Sequence, residues 1–276
     1  MHRTPNKLLA LGIVASALVA APVLAQPAAE VTLTRFADCG TSQAPTLVNQ
    51  RFSDTFAHGD LRVQFVFSCY LIKHGDRYML WDTGHSMTAP LVAPKVSLVD
   101  QLAQLGVKPE QIQFVGISHY HGDHSGQASS FPQATLLIGK GDWDVVTAPK
   151  PVPGVNIALF THWISGGGKV EPQINDKDVF GDGTVVILNT PGHTPGHHSL
   201  LAKLKEKGNV LISGDLVHFR ENYESNGVPW FNTSRAETLA SMDRFKKLAT
   251  SLRATVIIQH DARNVGKLPA FPAAAK

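Results

Sequence analysis

Short apolar runs rich in Val, Ile, Leu and aromatic residues recur along the chain, each closed by Gly, Pro, Asp or Asn. They predict strands at 63–72, 78–81, 113–118, 135–138, 184–189, 199–202, 209–213 and 255–259. Two stretches carry the three-and-four spacing of an amphipathic helix instead. Residues 96–105 put Val99, Leu102 and Leu105 on one face, and residues 235–252 align Leu239, Met242, Phe245, Ala249 and Leu252. Ser234, with Glu237 three residues on, marks the start of the second helix. Strands and helices alternate only in part, so the pattern predicts an α/β fold of mixed sheets flanked by helices. Segment 141–183 is rich in Gly, Pro and Asn with little periodicity, and predicts a long lid or binding loop.

Five of the strands run into a polar residue able to bind a metal: Asp82, His119, His193 (through Thr190-Pro191-Gly192), Asp215 and His260. Strand ends on one edge of a layered fold converge, so ligands placed there sit on rigid supports.

The start of the chain changes the expected length of the folded part. Arg3 and Lys7 precede an apolar run over 8–23, and Val23-Leu24-Ala25 provides a small-residue cleavage site. This is the pattern of a secretory signal cut between Ala25 and Gln26, and the run is too short for a comfortable membrane span. The expectation is therefore a signal peptide at 1–25, a secreted or periplasmic protein, and one domain over 26–276 without stable membrane insertion. The net charge of +3 includes Arg3 and Lys7. No basic cluster interleaved with aromatics is visible, which argues against nucleic acid as a partner. Cys39 and Cys69 are too few for a disulfide framework. They are either a single bridge in an oxidising compartment or two buried small hydrophobes, and their Cα separation decides which.

The densest chemistry is Ser118-His119-Tyr120-His121-Gly122-Asp123-His124. Imidazoles suit zinc and other late divalent metals, and the carboxylate adds charge. His119 and His121, two apart, can face one side of an extended segment. Asp123 and His124 then turn the chain toward a second position, so one short motif can serve two metals.

This string resembles the HxHxDH signature of the metallo-β-lactamase superfamily. Four further blocks agree with it in order: Leu80-Trp81-Asp82-Thr83-Gly84, Thr190-Pro191-Gly192-His193, Ser213-Gly214-Asp215 and Gln259-His260-Asp261. The resemblance covers roughly residues 60–265 and implies an αββα sandwich of two mixed sheets flanked by helices. It also implies two divalent metal ions, zinc above all. His119, His121 and His193 would hold the first metal; Asp123, His124 and His260 would hold the second; Asp215 would bridge them. Asp82 would orient ligands by hydrogen bonds. His197 would be structural rather than a ligand, as with less support would His198, while His74, His85 and His162 have no motif support and are expected to face solvent. Two such metals, about 3.5–4 Å apart, would supply hydroxide at neutral pH and polarise a carbonyl, with Asp123 passing a proton to the leaving group.

Within that superfamily, the retained Asp215 and the loop Glu221-Asn222-Tyr223 resemble the N-acyl-homoserine lactonases. His218 stands where those enzymes place a substrate-facing tyrosine, and would contact the lactone. The resemblance thus implies a metal-dependent lactonase acting on a small acyl lactone. Hydrolysis of β-lactams, or of organophosphates and aryl esters, is the alternative. A homodimer is compatible with the reading. An acyl tail needs an apolar channel, for which Met87, Phe160, Trp163, Trp230 and Phe231 are candidates.

Overall fold

The computed structural model describes residues 1–2, 29–48, 52–150 and 152–276; apart from its first two residues, the expected signal segment 1–25 lies outside them. The strands are β1 (Val31–Arg35), β2 (Thr46–Leu47), β3 (Arg62–Val63), β4 (Tyr70–His74), β5 (Arg77–Trp81), β6 (Ile112–Gly116) and β7 (Thr135–Gly139). They continue as β8 (Val170–Gln173), β9 (Lys177–Asp178), β10 (Val185–Asn189), β11 (His198–Leu204), β12 (Gly208–Ile212) and β13 (Thr255–Ile257).

Two mixed sheets result. The first has the order β1-β4-β5-β6-β7-β8, antiparallel from β1 to β5 and parallel from β5 to β8. The second has the order β13-β12-β11-β10-β9, antiparallel except for the parallel β12–β13 pair. β2 and β3 form a separate hairpin-like pair.

The side chains between the sheets alternate as strand geometry requires. Leu33, Ile72, Met79 and Trp81 of the first sheet meet Ile187, Leu200, Ala202 and Ile212 of the second in one buried cluster. The opposite face of the second sheet is closed by the helix Arg235–Ser251, whose Met242, Phe245 and Ala249 pack on Leu188, Leu201 and Leu211. Its start is fixed by Ser234, whose hydroxyl accepts from the Glu237 amide. Phe245 is fully buried, so truncating it to Ala costs about 3–5 kcal/mol. On the far face of the first sheet the helix Leu98–Gln104 buries Leu98 and Leu102 in a second large cluster. The layers are therefore helix, sheet, sheet, helix.

Three expectations change. The run 63–72 is not one strand: β3 ends at Val63, β4 begins at Tyr70, and the residues between leave the sheet. Their backbone pairs instead with the segment after β13, where Phe65 bridges to Asp261 and the Val66 amide donates to the His260 carbonyl. Segment 141–183 is not a long loop. It holds most of the helix Lys140–Val146, the short helix Thr161–Ile164, β8 and β9, and it buries Phe160 and Trp163. His74 is buried rather than solvent-facing: its Nε2 lies 2.6 Å from Asp182, and it stacks on Phe180. Cys39 and Cys69 are joined, with a Cα separation of 5.9 Å.

Candidate metal centre

The parallel strands β5 and β6 and the second-sheet strands β10, β12 and β13 all end at the same edge, and each delivers side chains to one cluster. Close packing at the strand ends sets the register. Gly116, the last residue of β6, lies so near Met79 that a Cβ would come within 2.5 Å of its Cε. Gly214 adopts φ +56°, which lets the Asp215 amide donate to Nε2 of buried His197 at 2.9 Å. Gly192 passes against the start of the helix Arg235–Ser251, where a Cβ would sit 2.3 Å from the Thr238 nitrogen.

Two groups of metal-competent atoms form, one from His119, His121, His193 and Asp215, the other from Asp123, His124 and His260. Asp215 faces both. Its Oδ2 lies 3.7 Å from His119 Nε2 and 3.4 Å from His193 Nε2, while its Oδ1 lies 3.1 Å from His124 Nε2 and 2.8 Å from His260 Nε2. Asp123 Oδ2 lies 3.5 Å from His124 Nε2 and 3.6 Å from His260 Nε2.

The donor set fits divalent cations on three observations. Ring nitrogens converge without an intervening acceptor: His119 Nε2 to His121 Nδ1 at 2.8 Å, His193 Nε2 to His121 Nδ1 at 3.1 Å, and His124 Nε2 to His260 Nε2 at 3.2 Å. Asp215 Oδ1 is buried between the ring nitrogens of His124 and His260 yet makes no well-aligned hydrogen bond with either, an arrangement that suits a cation shared by all three. Finally, several of the inward-facing rings are held from behind. His124 Nδ1 lies 2.9 Å from Asp82 Oδ2, His193 Nδ1 2.9 Å from Asn232 Oδ1, His260 Nδ1 2.7 Å from the Val66 carbonyl and His119 Nδ1 3.0 Å from Ser118 Oγ. Such backing fixes the tautomer that leaves Nε2 free to ligate.

Electrostatics point the same way. Burial pulls His119 and His193 well below the ordinary histidine value, so both are neutral and able to ligate. Burial raises Asp215, but His260, His124, His218 and His119 outweigh it and hold the carboxyl well below its usual range. Burial also pulls His124 down, yet Asp215, Asp123 and Asp82 overcome that and raise its proton affinity well above normal. A field that favours a proton this strongly favours a divalent cation for the same reason.

Above the cluster opens a cleft of about 360 Å³. Phe52, Phe65, Phe67, Trp230 and Phe231 form its apolar wall, and His121, Asp123, His193, Asp215 and His218 its polar floor. His218 Nε2 lies 3.1 Å from Asp215 Oδ2, its ring stacks with Phe52 and with His260, and its Nδ1 has no hydrogen-bond partner among the described residues.

Of the five apolar candidates, Trp230 and Phe231 line the cleft. Phe160 and Trp163 instead belong to the core of the first sheet's outer face, and Met87 does not line the cleft. His85, expected in solvent, is partly buried on the cleft wall, with its ring 4.3 Å from Phe67. Residues that sequence reasoning missed fall into two kinds. Phe52, Phe65 and Phe67 read as ordinary strand or loop aromatics. Asn232, Gln259 and Asp142 act only through other residues, and no local spacing marks them.

The chain is similar to known proteins in sequence and in fold. The Metallo-beta-lactamase superfamily profile matches residues 65–260. The N-acyl homoserine lactonase AttM of Rhizobium radiobacter is 29% identical over 200 residues, spanning 66% of this chain and 72% of that protein. The crystal structure of a quorum-quenching N-acyl homoserine lactone hydrolase superposes with a TM-score of 0.74 at 22% identity, covering 90% of this chain and 99% of the other. AidC, a dizinc quorum-quenching lactonase in complex with N-hexanoyl-L-homoserine as product, gives 0.65 at 20% identity, covering 90% and 91%.

Proposed function

The chain belongs to the metallo-β-lactamase superfamily, and on that premise we propose that it hydrolyses the lactone ring of N-acyl homoserine lactones. The observation that carries the proposal is Asp215, whose two oxygens face one histidine group each at the floor of an aromatic-walled cleft. The lactonase relatives supply the substrate class.

His119, His121 and His193 would hold one divalent cation and Asp123, His124 and His260 the other, with Asp215 between them; zinc suits this mixture of imidazole and carboxylate above all. When bound, such a pair supplies a nucleophilic water at neutral pH and draws electrons from the ester carbonyl. The protein's own part is positional. Phe65, Phe67 and Phe231 exclude water from the apolar side of the cleft and leave room for an acyl tail running toward exposed Trp230. In the reaction the water oxygen bonds to the carbonyl carbon and the ring C–O bond breaks. The water's proton passes through Asp123, which is partly open to the cleft, to the departing hydroxyl oxygen. We assign His218 to the lactone, since its Nε2 is held by Asp215 and its ring lines the polar floor of the cleft.

A panel of N-hexanoyl and N-dodecanoyl homoserine lactone, a β-lactam, an aryl ester and a phosphotriester, given to metal-loaded protein, tests the substrate class. The expected result is preference for the acyl lactones by orders of magnitude. A strong β-lactamase with negligible lactonase activity would refute it. His218→Ala should lose about ten- to a hundredfold in turnover with metal content unchanged, a modest loss because the cations carry the developing charge and His218 only helps to place the substrate.

Export, with cleavage before Gln26, is a further part of the proposal. The Cys39–Cys69 bridge supports it, because such bonds persist in oxidising compartments. N-terminal sequencing of protein from the cell envelope decides it: a mature chain beginning at Gln26 is expected, and one retaining Met1 counts against it.

A further inference from the structure

Asp142 lies outside both groups of metal-competent residues, yet it touches both segments that build the first one. It sits in the first turn of the helix Lys140–Val146, directly after β7, and is fully buried. Its carboxylate accepts three hydrogen bonds. The Tyr120 amide, between His119 and His121, donates at 3.2 Å; the Thr194 hydroxyl, next to His193, donates at 2.9 Å; the Gly196 amide donates at 2.7 Å. The surroundings are built for this contact. A Cβ on Gly139 would fall 1.9 Å from the Gly196 carbonyl oxygen, one on Gly141 2.7 Å from the Pro195 carbonyl, and one on Gly196 2.4 Å from the Asp142 nitrogen. Three glycines thus let the backbone after β7 press against the backbone after His193, with the carboxylate sealed at the junction.

We propose that Asp142 is a positioning residue for the first metal site, tying the His119–His121 segment to the His193 loop so that three imidazoles from two strand ends keep one geometry. A buried carboxylate is costly, and burial pushes this one up, to about 7, against the pull of its three donors. A hydrophobic residue would fill the same space without that cost but would leave two amides and a hydroxyl without acceptors. The second group has its own support: His124 is backed by Asp82 and His260 by the Val66 carbonyl, and neither touches Asp142. The effect of Asp142 is therefore confined to one site.

The inference rests on the reading that the cluster binds metal, and the test separates the two. Zinc affinity is measured by chelator competition in two backgrounds: His260→Ala, which cripples the second site, and His193→Ala, which cripples the first. Asp142→Ala should weaken the site left in the His260→Ala background about ten- to a hundredfold, the range for groups that orient ligands. It should leave the site in the His193→Ala background within about twofold. Thr194→Val removes one donor and keeps the side-chain shape, and should give a smaller loss with the same site preference; it carries the test if Asp142→Ala does not fold. Equal weakening in both backgrounds, or none in either, overturns the positioning role. A parent chain that binds no zinc refutes instead the metal reading on which it rests.

Discussion

Asp82→Asn is the substitution whose consequence is most fully determined by the geometry. Asp82 follows β5 in the left-handed region (φ +56°) and is fully buried. Its carboxylate accepts from the Ser118 amide at 2.6 Å, the Ser118 hydroxyl at 3.0 Å, His124 Nδ1 at 2.9 Å and Gln259 Nε2 at 2.8 Å. Ser118 Oγ in turn lies 3.0 Å from His119 Nδ1, so one carboxylate steadies a histidine in each group. Asparagine keeps the shape and one acceptor oxygen, but its amide must point a donor at a donor. The charge-assisted bond to His124 is lost, worth about 1.5–3 kcal/mol, and at least one buried donor is left unpaired. Only the part that bears on ring orientation reaches the metal. For groups that back a ligand it amounts to about ten- to a hundredfold in affinity, which is about 1.4–2.7 kcal/mol. Chelator competition reads the affinity, and thermal unfolding of the metal-free protein reads the rest as a lowered Tm. The second site should weaken more than the first, because His124 is held directly and His119 only through Ser118. Unchanged affinity at both sites in a folded variant would refute the orientation role.

Asp215→Asn should weaken both sites together, since it removes the charge placed between the two cations; elemental analysis after dialysis against a weak chelator should find the loss in both, and full retention would exclude the bridge. Reducing Cys39–Cys69, or replacing both with Ser, should cost about 4 kcal/mol from the 30-residue separation alone, read by denaturant unfolding with and without reductant. Arg263 lowers Glu221 through a paired hydrogen bond, and at Asp261 it overcomes the opposing effect of burial. Both folded carboxyls lie below their unfolded values near 4, so their contribution is present above about pH 4 and drains as pH falls through the folded values. Glu221→Gln should therefore flatten the loss of Tm on acidification below about pH 4; an identical acid limb would contradict the pairing.

Much of the site was legible in the sequence because its ligands follow strands directly. Asp82, His119, Asp215 and His260 sit within a few residues of apolar runs whose ends had to converge. Spacing also separated the two groups, since His119 and His121, two apart, serve the first while Asp123 and His124 lie on a short helix and serve the second. The supports were less legible, for a physical reason. Asn232 acts on His193 from 39 residues away and Gln259 on Asp82 from 177 away, and neither separation leaves a local pattern. The cleft wall was hidden in a misreading of 63–72. Phe65 and Phe67 look like strand residues because an apolar lining and a buried strand favour the same side chains. The segment 141–183 misled in the opposite way: its Gly and Pro residues suggested a lid, while Phe160 and Trp163 are buried in the core.

The most direct test is a paired count of metal and turnover on the purified chain. Elemental analysis should find about two divalent ions, chiefly zinc, per chain. Chelation should abolish opening of N-acyl homoserine lactone, followed as one equivalent of acid released per lactone, and two equivalents of zinc should restore it. One iron per chain, with dioxygen consumed during turnover, would contradict the two-metal hydrolase outright.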